Sequence, residues 1–428
     1  MRMKLNKSSQ LLLVAATSLL AAGLVTACGT LTTDFVFVTS SKAAGPNSYG
    51  QIDVFEINQE SGVMRQIPTS PFPSGGRDPV AEAVSSDQFN LYVVNQDDNT
   101  IVQFVIGNDG KVYPQNTVNT PGIFPLAVAV SGTNLYVLDT YQPLPICSTA
   151  SPCSGAIAVL PITVGSGSPP SDTLGSPVAN GSLAYWPLCQ YGYISAANFT
   201  QCASGATSDV ITPTAVNVLA SGTYVYVTAY DSSASPNVGY VFAFASGSGG
   251  GLTPLNGGVP FTAGTHPSAV ASDSTSSYVY VADMTNNNVL GYSVASGLLT
   301  PLSSSPFAAG DQPAAVVTDP KYPFVYVANS LDNTVTAYSM SSGALTSLGT
   351  YATGEQPVAI GIDPSTNHFL YTTNYLGSGV NGTISGFELS PTAGTLVNSQ
   401  NSPFTANAQP TAVAAIPHGS TQSTSSSR

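Results

Sequence analysis

Short apolar runs rich in Val, Tyr, Phe and Ala recur along the chain, separated by clusters of Pro, Asp, Asn and Gly. The clearest copy, within 312–338, has apolar runs at 314–318, 324–328 and 334–338. Val, Tyr and Phe favour strands, whereas Pro, Asp and Asn favour turns. The pattern therefore predicts three consecutive strands joined by an Asp-Pro turn and by an Asn/Asp-rich hairpin loop.

This unit is repeated along most of the chain. A proline opens the first strand of each copy, at Pro79, Pro125, Pro213, Pro267, Pro313, Pro357 and Pro410. An aromatic residue lies in each second strand, at Phe37, Tyr92, Tyr136, Tyr226, Tyr280, Tyr326 and Tyr371. Most copies are 44 to 55 residues apart, which is the period of a four-stranded propeller blade. We therefore predict an all-β fold, a β-propeller.

The two ends of the repeat complement each other. Phe37 has no proline-led strand before it, and Pro410 has no aromatic strand after it. A strand at 411–416 that pairs with the strand containing Phe37 completes one blade and leaves no open edge. The count is then seven blades. Because Tyr136 and Tyr226 are 90 residues apart, a degenerate eighth blade stays open as an alternative.

The N-terminus has the features of an export signal. Three cations, Arg2, Lys4 and Lys7, precede an apolar stretch at 11–27, and the sequence VTAC at 25–28 resembles a bacterial lipobox. We predict a lipoprotein signal peptide at 1–27, with Cys28 lipidated and anchored in the membrane. An ordinary secretory signal is the alternative. We predict that the rest of the chain consists of a linker at 28–34, the propeller at 35–418 and a disordered tail at 419–428.

Composition agrees with an exported globular chain. The net charge is −13, and losing the three leader cations makes the mature chain −16. Such an acidic protein repels nucleic acid. Only 7% of residues are charged while 43% are hydrophobic, so the composition is not that of a disordered chain. We predict a monomer in the periplasm or on the cell surface.

Four cysteines besides Cys28 fall within an irregular third blade. Their even number in an oxidising compartment predicts two disulfides, and proximity favours Cys147 with Cys153 and Cys189 with Cys202. Three connectivities are possible. The cysteines lie in inserts at 140–155 and 181–209, which propeller connectivity places on one face. The second insert holds the only tryptophan, Trp186, and we predict a cap whose aromatic surface contacts a ligand, or a small core of its own.

The repeats YVYVADMTNNNVLGYSV and FVYVANSLDNTVTAYSM resemble the YVTN repeats of bacterial surface propellers and the seven-bladed lactonase family. The resemblance spans nearly all of 35–418. It implies a site at one mouth of the central channel, made of polar and charged side chains in which Arg and His are prominent. Arginine is scarce after export, so a phosphorylated sugar lactone is an unsuitable substrate.

Loops that lead into the first strands and residues that end the second strands open on the same face of a propeller. Departures from the repeat in this ring are the candidate catalytic residues Arg77, His266 and Glu355. The candidate ligand-binding residues are Asp78, Gln312, Gln356, Gln409, Asn95, Asp283, Asn329, Asn374 and Trp186. The alternative is that Gln, Asp and Asn only close turns and bond backbone groups in every blade.

Known catalytic motifs are missing from the sequence: there is no G-x-S-x-G, H-E-x-x-H, P-loop or dinucleotide fingerprint. Asp/Asn runs near 96–99, 283–288 and 331–333 lack the ligand spacing of a calcium loop, and we predict no cofactor and no metal site. Two functions stay open. One is a non-catalytic scaffold that binds a glycan or protein partner, and the other is a lactone hydrolase or cycloisomerase acting at the channel mouth.

Overall fold

The computed structural model describes residues 32–41, 49–166, 170, 172–195, 198–203, 209–363, 369–377 and 381–417. These residues form seven antiparallel sheets, one separate two-stranded hairpin and one 3-10 turn at Asn256–Gly258. The leader at 1–27, the lipidation candidate Cys28 and the tail at 419–428 lie outside the described residues.

The strands of the first three blades follow one another along the chain. Blade 1 begins with β1 (Thr32–Ser41), β2 (Tyr49–Asn58), β3 (Met64–Gln66) and β4 (Phe72–Arg77). Blade 2 contains β5 (Pro79–Val84), β6 (Asn90–Asn95), β7 (Thr100–Ile106) and β8 (Val112–Asn119). Blade 3 contains β9 (Ile123–Ser131), β10 (Asn134–Tyr141), β11 (Ala156–Thr163), β12 (Thr173–Leu174) and β13 (Trp186–Pro187).

A hairpin of β14 (Tyr193–Ser195) and β15 (Asn198–Cys202) separates these blades from the remaining four. Blade 4 contains β16 (Ile211–Val218), β17 (Tyr224–Asp231), β18 (Val238–Ser246), β19 (Leu252–Pro254) and β20 (Phe261–Thr262). Blade 5 contains β21 (Pro267–Ser272), β22 (Tyr278–Asp283), β23 (Asn288–Ala295), β24 (Leu298–Pro301) and β25 (Phe307–Ala308).

The chain then forms two more blades and returns to the first. Blade 6 contains β26 (Pro313–Thr318), β27 (Phe324–Asn329), β28 (Thr334–Ser341) and β29 (Ala344–Ala352). Blade 7 contains β30 (Pro357–Ile362), β31 (Phe369–Asn374), β32 (Thr383–Leu389), β33 (Leu396–Asn398) and β34 (Phe404–Thr405). The last strand, β35 (Gln409–Pro417), pairs with β1.

The first strands form the inner ring. Each of β5, β9, β16, β21, β26, β30 and β35 contacts the first strands of both neighbouring blades, and the circle is complete. Each also has a register shift next to its proline, for example between Pro313 and Ala315 where β26 pairs with β27. Because proline has no N–H to donate to a neighbouring strand, the regular pattern of hydrogen bonds between the two strands is interrupted at this residue. The repeated proline therefore marks a bulge at the start of every inner strand.

Closure follows the predicted route. Phe37 on β1 lies opposite Ala414 on β35, and the Thr411 hydroxyl donates to the Pro79 carbonyl of blade 2 at 2.7 Å. The described residues between Tyr136 and Tyr226 contain parts of blades 3 and 4 and the hairpin, but no further sheet of a blade. The predicted seven-bladed, all-β propeller closed by a C-terminal strand is confirmed.

The repeated tyrosines of the second strands connect neighbouring blades. Each ring is buried, and in three successive blades its hydroxyl donates to a glycine carbonyl of the next blade. The bonds are Tyr226 to Gly297 at 3.0 Å, Tyr280 to Gly343 at 2.8 Å and Tyr326 to Gly394 at 3.2 Å. The three glycines have φ of 79°, 83° and 68°, which residues with a side chain rarely adopt. Tyrosine and glycine thus recur together because each pair joins two blades.

Removing β35 tests closure directly. A chain that ends at Ala408 should lose its cooperative unfolding transition, because β1 and β5 both lose their neighbour and the inner ring opens. A chain that ends at Pro417 keeps β35 and should unfold cooperatively like the full chain. Denaturant unfolding followed by circular dichroism measures both. A cooperative transition in the shorter chain would contradict the role of this strand.

Candidate functional site

The loops that lead into the first strands lie on one face of the ring, which we call the mouth. Several residues just before the proline have left-handed backbone, with φ of 50° at Asp78, 57° at Phe124, 53° at Gln312 and 56° at Gln356. For three of these residues, an asparagine side chain of the preceding blade accepts the backbone N–H. The bonds run from Phe124 to Asn99 at 2.7 Å, from Gln312 to Asn287 at 2.9 Å and from Gln356 to Asn333 at 2.7 Å. The mouth is therefore held by a repeated backbone contact between blades.

The candidate residues at the ends of the second strands are buried and hold the mouth from below. Asp283 accepts the N–H groups of Thr265 at 2.9 Å and His266 at 3.0 Å. The Gly310 N–H donates to Asn329 at 3.2 Å, Asn95 donates to the Ser74 carbonyl at 3.4 Å, and Asn374 donates to Thr383 and Ser385 at 3.0 and 2.9 Å. All four side chains are thus hydrogen-bonded to other groups of the propeller. A ligand-binding role for them stays a prediction.

Arg77 is engaged in an ion pair. Its Nε lies 2.6 Å from Asp98 Oδ1, its backbone N–H donates to Asp98 Oδ2 at 2.8 Å, and its guanidinium also reaches the Asp97 carbonyl at 3.2 Å. The side chain is partly exposed. Its charge is therefore largely balanced by a neighbour before any ligand arrives.

His266 is the candidate catalytic residue with the most unusual surroundings. Its ring packs on Tyr230 of blade 4, with ring centroids 4.1 Å apart, so the half-buried imidazole bridges two blades at the mouth. Burial lowers the pKa of His266 below its ordinary value of 6.5, and the charge of Asp283 opposes this only in part. The imidazole is thus neutral at pH 7 and able to accept a proton.

The other candidates surround the same opening. Glu355 and Gln312 are exposed, while Asp78, Gln356 and Gln409 are partly buried. Arg77 ends β4 of blade 1, whereas His266 and Glu355 lie in the loops that lead into blades 5 and 7, so the three residues lie around the ring and not side by side on one element. Their catalytic roles stay predictions.

The structure reveals one chemically distinctive residue that the sequence analysis missed. Glu82 lies on inner strand β5, at the register position where the other six blades have Val128, Val216, Val270, Val316, Ile360 and Val413. Both carboxylate oxygens are buried and make no hydrogen bond. Burial raises the pKa of Glu82 to about 8, although backbone groups of Ala414 and Thr39 face the carboxyl and counter this in part. Alignment of the repeats position by position would have identified this glutamate.

The cysteine-bearing inserts meet on the mouth face. Disulfides join Cys147 to Cys153 and Cys189 to Cys202, the pairing that proximity favoured. Ser154 Oγ donates to the Asp209 carbonyl at 3.3 Å, and the backbone of Leu188 donates to that of Gly155 at 3.0 Å. However, Gly192 and Tyr193 contact the turn at 257–258 of blade 4. The hairpin of β14 and β15 therefore packs against blade 4. A cap over the channel stays a prediction.

Trp186 belongs to the core between blades 3 and 4. It lies in β13, opposite Ile157 of β11, and is 2% exposed. Its neighbours in the hydrophobic cluster include Leu188 and Val225. The expected insert at 181–209 thus begins with the last strand of blade 3, and this ring has no exposed face for a ligand. Sequence reasoning placed it in a loop because the fourth strand is split into two short pieces.

Among the described residues, no group of three or more His, Cys, Asp or Glu side chains is arranged to hold a metal ion. The Asp/Asn runs after the second strands supply instead the hairpin and blade-to-blade bonds already given. No helix in the described ranges is long and apolar enough to cross a membrane.

The lowered pKa of His266 can be measured by NMR titration of its ring C–H signals, with His266→Gln assigning the resonance among the three histidines. We expect a pKa below 6.5. Tyr230→Ala should move it towards 6.5, because water then solvates the protonated ring. Tyr113→Ala, at an exposed site on blade 2, serves as the control. A pKa above 6.5, or one that Tyr230→Ala does not change, would contradict this description.

Because Trp186 is the only tryptophan, intrinsic fluorescence reports on the core between blades 3 and 4. Emission should be blue-shifted and resistant to acrylamide, since the ring is 2% exposed. Tyr191→Ala, at an exposed position beside the second disulfide, should leave both properties unchanged. Red-shifted emission that acrylamide quenches readily would place the ring on the surface.

Comparisons with known proteins agree with this architecture. The chain resembles a solved structure from Bacteroides fragilis, provisionally assigned as a 6-phosphogluconolactonase, at 18% identity and a TM-score of 0.65 over 91% of this chain and 99% of that one. It also resembles the periplasmic gluconolactonase of Pseudomonas aeruginosa, at 16% identity and a TM-score of 0.66 over 90% and 99%.

These low identities establish the fold alone. A search of curated proteins finds no significant match. The family described as Lactonase, 7-bladed beta-propeller, however, matches residues 194–420, which is more than half of the chain. The chain therefore belongs to the seven-bladed β-propeller lactonase family.

Proposed function

We propose that this protein hydrolyses uncharged lactones at the mouth, with His266 as the proton acceptor. The observation that carries the proposal is the neutral, half-buried imidazole packed at a tilt against the ring of Tyr230. Lactone hydrolysis needs a base to take a proton from the attacking water, and a neutral imidazole supplies one at pH 7. The water oxygen bonds to the carbonyl carbon, the ring C–O bond breaks, and the departing oxygen takes up the proton that His266 accepted. Family membership makes this chemistry the first to test.

The charge of the mouth favours an uncharged substrate. Among the described residues of the mouth, Arg77 supplies the guanidinium group, and the carboxylate of Asp98 already balances its positive charge. Asp78 and Asp97 add negative charge beside it, and Glu355 adds a carboxyl group elsewhere around the opening. A phosphate group would need several free cations or a metal. The proposed substrate therefore differs from that of the relatives provisionally assigned as 6-phosphogluconolactonases.

A second candidate is a non-catalytic scaffold for a glycan or protein partner. The observation that favours it is that three candidate binding residues already have partners within the propeller: Asn95 bonds Ser74 of blade 1, and Asn329 and Asn374 bond Thr336 and Ser385 of their own blades. A mouth whose polar groups serve the fold presents a rigid surface, and one propeller scaffold can support binding or catalysis. The net charge of −13 disfavours nucleic acid as a partner because it repels the phosphate backbone.

We place either activity outside the cytoplasm, in a monomer. Two disulfides support this location, and one of the similar solved structures is a periplasmic protein. Attachment to the membrane through lipid on Cys28 is part of the proposal. Secretion without an anchor is the alternative.

A panel of aldonolactones and their 6-phosphorylated counterparts tests the proposal on the purified mature chain. We expect hydrolysis of the uncharged members, and His266→Gln should lower kcat/KM by about a hundredfold, the scale of lost general-base help. Activity should fall as pH decreases through the pKa of His266, which lies below 6.5, because the protonated ring cannot accept a proton.

The control is Lys321→Gln, in the turn between β26 and β27 at the opposite face, which should leave hydrolysis unchanged. Hydrolysis that survives His266→Gln would show that this histidine is not the base. No turnover of any lactone, together with measurable calorimetric binding of a glycan, would favour the scaffold instead.

A further inference from the structure

Blade 1 differs from the other blades because it is assembled from both ends of the described chain. It lies between blades 7 and 2, and each of these two interfaces contains a buried carboxyl group. Asp34 of β1 faces blade 7, and Glu82 of blade 2 faces blade 1. Neither residue belongs to the mouth.

The interface with blade 7 contains two carboxyl groups. Asp34 and Asp363 are both 0% exposed, and the Tyr371 hydroxyl donates to Asp34 Oδ2 at 3.4 Å while Asp34 Oδ1 has no hydrogen-bond partner. The corresponding tyrosines of blades 4, 5 and 6 donate to a neutral glycine carbonyl. Two carboxyl groups that share one buried site cannot both ionise without strong repulsion. A proton on Asp34 removes that repulsion.

The interface with blade 2 contains a carboxyl group in an apolar position. Valine or isoleucine occupies the place of Glu82 in the other six blades and packs against the cluster shared with the preceding blade. The oxygens of Glu82 have no hydrogen bond of normal geometry, so the ionised form would be a buried charge that faces only backbone groups of Ala414 and Thr39. The neutral acid is the form that fits.

We propose that blade 1 is a proton-dependent latch: the ring is firmly closed while Asp34 and Glu82 carry protons, and blade 1 loosens when they lose them. The proposal is independent of the lactonase activity, since it concerns the closing blade and not the mouth. It implies that the closed ring of this protein is firmest in an acidic medium and weakens as the medium becomes alkaline.

Few ionisable side chains lie close to Asp34 or Glu82. Asp363 and Tyr371 of blade 7 act on Asp34. The strands packed against β5, namely β1, β6, β9 and β35, carry only Asp34 and Tyr92 as titratable side chains, and neither acts on the Glu82 carboxyl. No described cation faces either acid in these contacts. Ionisation of each therefore has no compensating cation, and only the Tyr371 hydroxyl at Asp34 and backbone groups of Ala414 and Thr39 at Glu82 oppose the effect of burial.

The direction of the pH effect follows from the pKa values. Burial, reinforced by Asp363, raises the pKa of Asp34 from 3.8 to about 8, and burial raises that of Glu82 from 4.5 to about 8. Between about pH 4 and pH 8, the folded state therefore binds more protons than the unfolded state. Stability from both groups is complete below about pH 4 and is lost as pH rises through 8. Asp139 of blade 3, with a pKa raised to about 7, acts in the same direction and must be separated from them.

Denaturant unfolding of the full mature chain between pH 6 and 9 provides the test. The unfolding equilibrium constant of the unmodified protein should rise by about tenfold or more over this range relative to that of the double variant Asp34→Asn, Glu82→Gln. Asp139→Asn separates the contribution of blade 3, and the exposed Glu388→Gln is the control. If Glu82→Gln does not fold, Glu82→Val restores the residue type of the other blades and should raise stability most at pH 9.

Hydrogen exchange locates the effect. After correction for the intrinsic rate, amides of β1 and β35 should lose protection between pH 6 and 9, whereas those of β22 and β27 should keep it. The double variant should keep protection in β1 and β35 as well. A pH dependence that survives in the double variant, or protection lost equally from all seven blades, would overturn the proposal.

Discussion

The pairing of β35 with β1 is the constraint on which the other contacts depend. Each blade has apolar residues on both faces, so it is stable only between two neighbours, and a row of such blades always ends in two uncovered faces. A ring removes both ends. In this chain the ring is completed by hydrogen bonds between segments at opposite ends of the described sequence. The hydrophobic cluster between blades 7 and 1 joins residues from opposite ends of the described chain and depends on this pairing, and Ile416 of β35 completes the cluster between blades 1 and 2.

The contacts that close the ring also determine what the mouth can do. Asparagine and aspartate at the strand ends bond the loops of their own blade or the next, so repetition in the sequence reflects repetition of these bonds. Such residues maintain the shape of the opening. Chemistry specific to this protein is therefore best sought where the repeat is broken, as at His266, whose imidazole packs on the tyrosine of another blade.

Much of the architecture could be predicted from the sequence because proline bulges and second-strand tyrosines leave a regular signature. Seven blades and closure by the C-terminal strand followed from that spacing alone. Trp186 was misplaced because β12 and β13 are too short to show a strand pattern. Glu82 was overlooked because repeats were compared at their conspicuous residues, whereas its significance appears only when β5 is aligned with six other inner strands. Ion pairing of Arg77 depends on a contact between the end of β4 in blade 1 and the turn after β6 in blade 2, which no local pattern reveals.

The two disulfides differ in purpose from the bonds that close the ring. They join cysteines only 6 and 13 residues apart, so each ties a loop to itself and neither links one blade to another. Reduction of these bonds should consequently free the loops on one side of the mouth while the circular arrangement of sheets persists. Assembly of the propeller and shaping of its opening are thus separable events. A chain that folded before its cysteines were oxidised would already have its ring of seven blades closed. Its passage into an oxidising compartment would then fix only the two disulfide-bonded loops at the mouth.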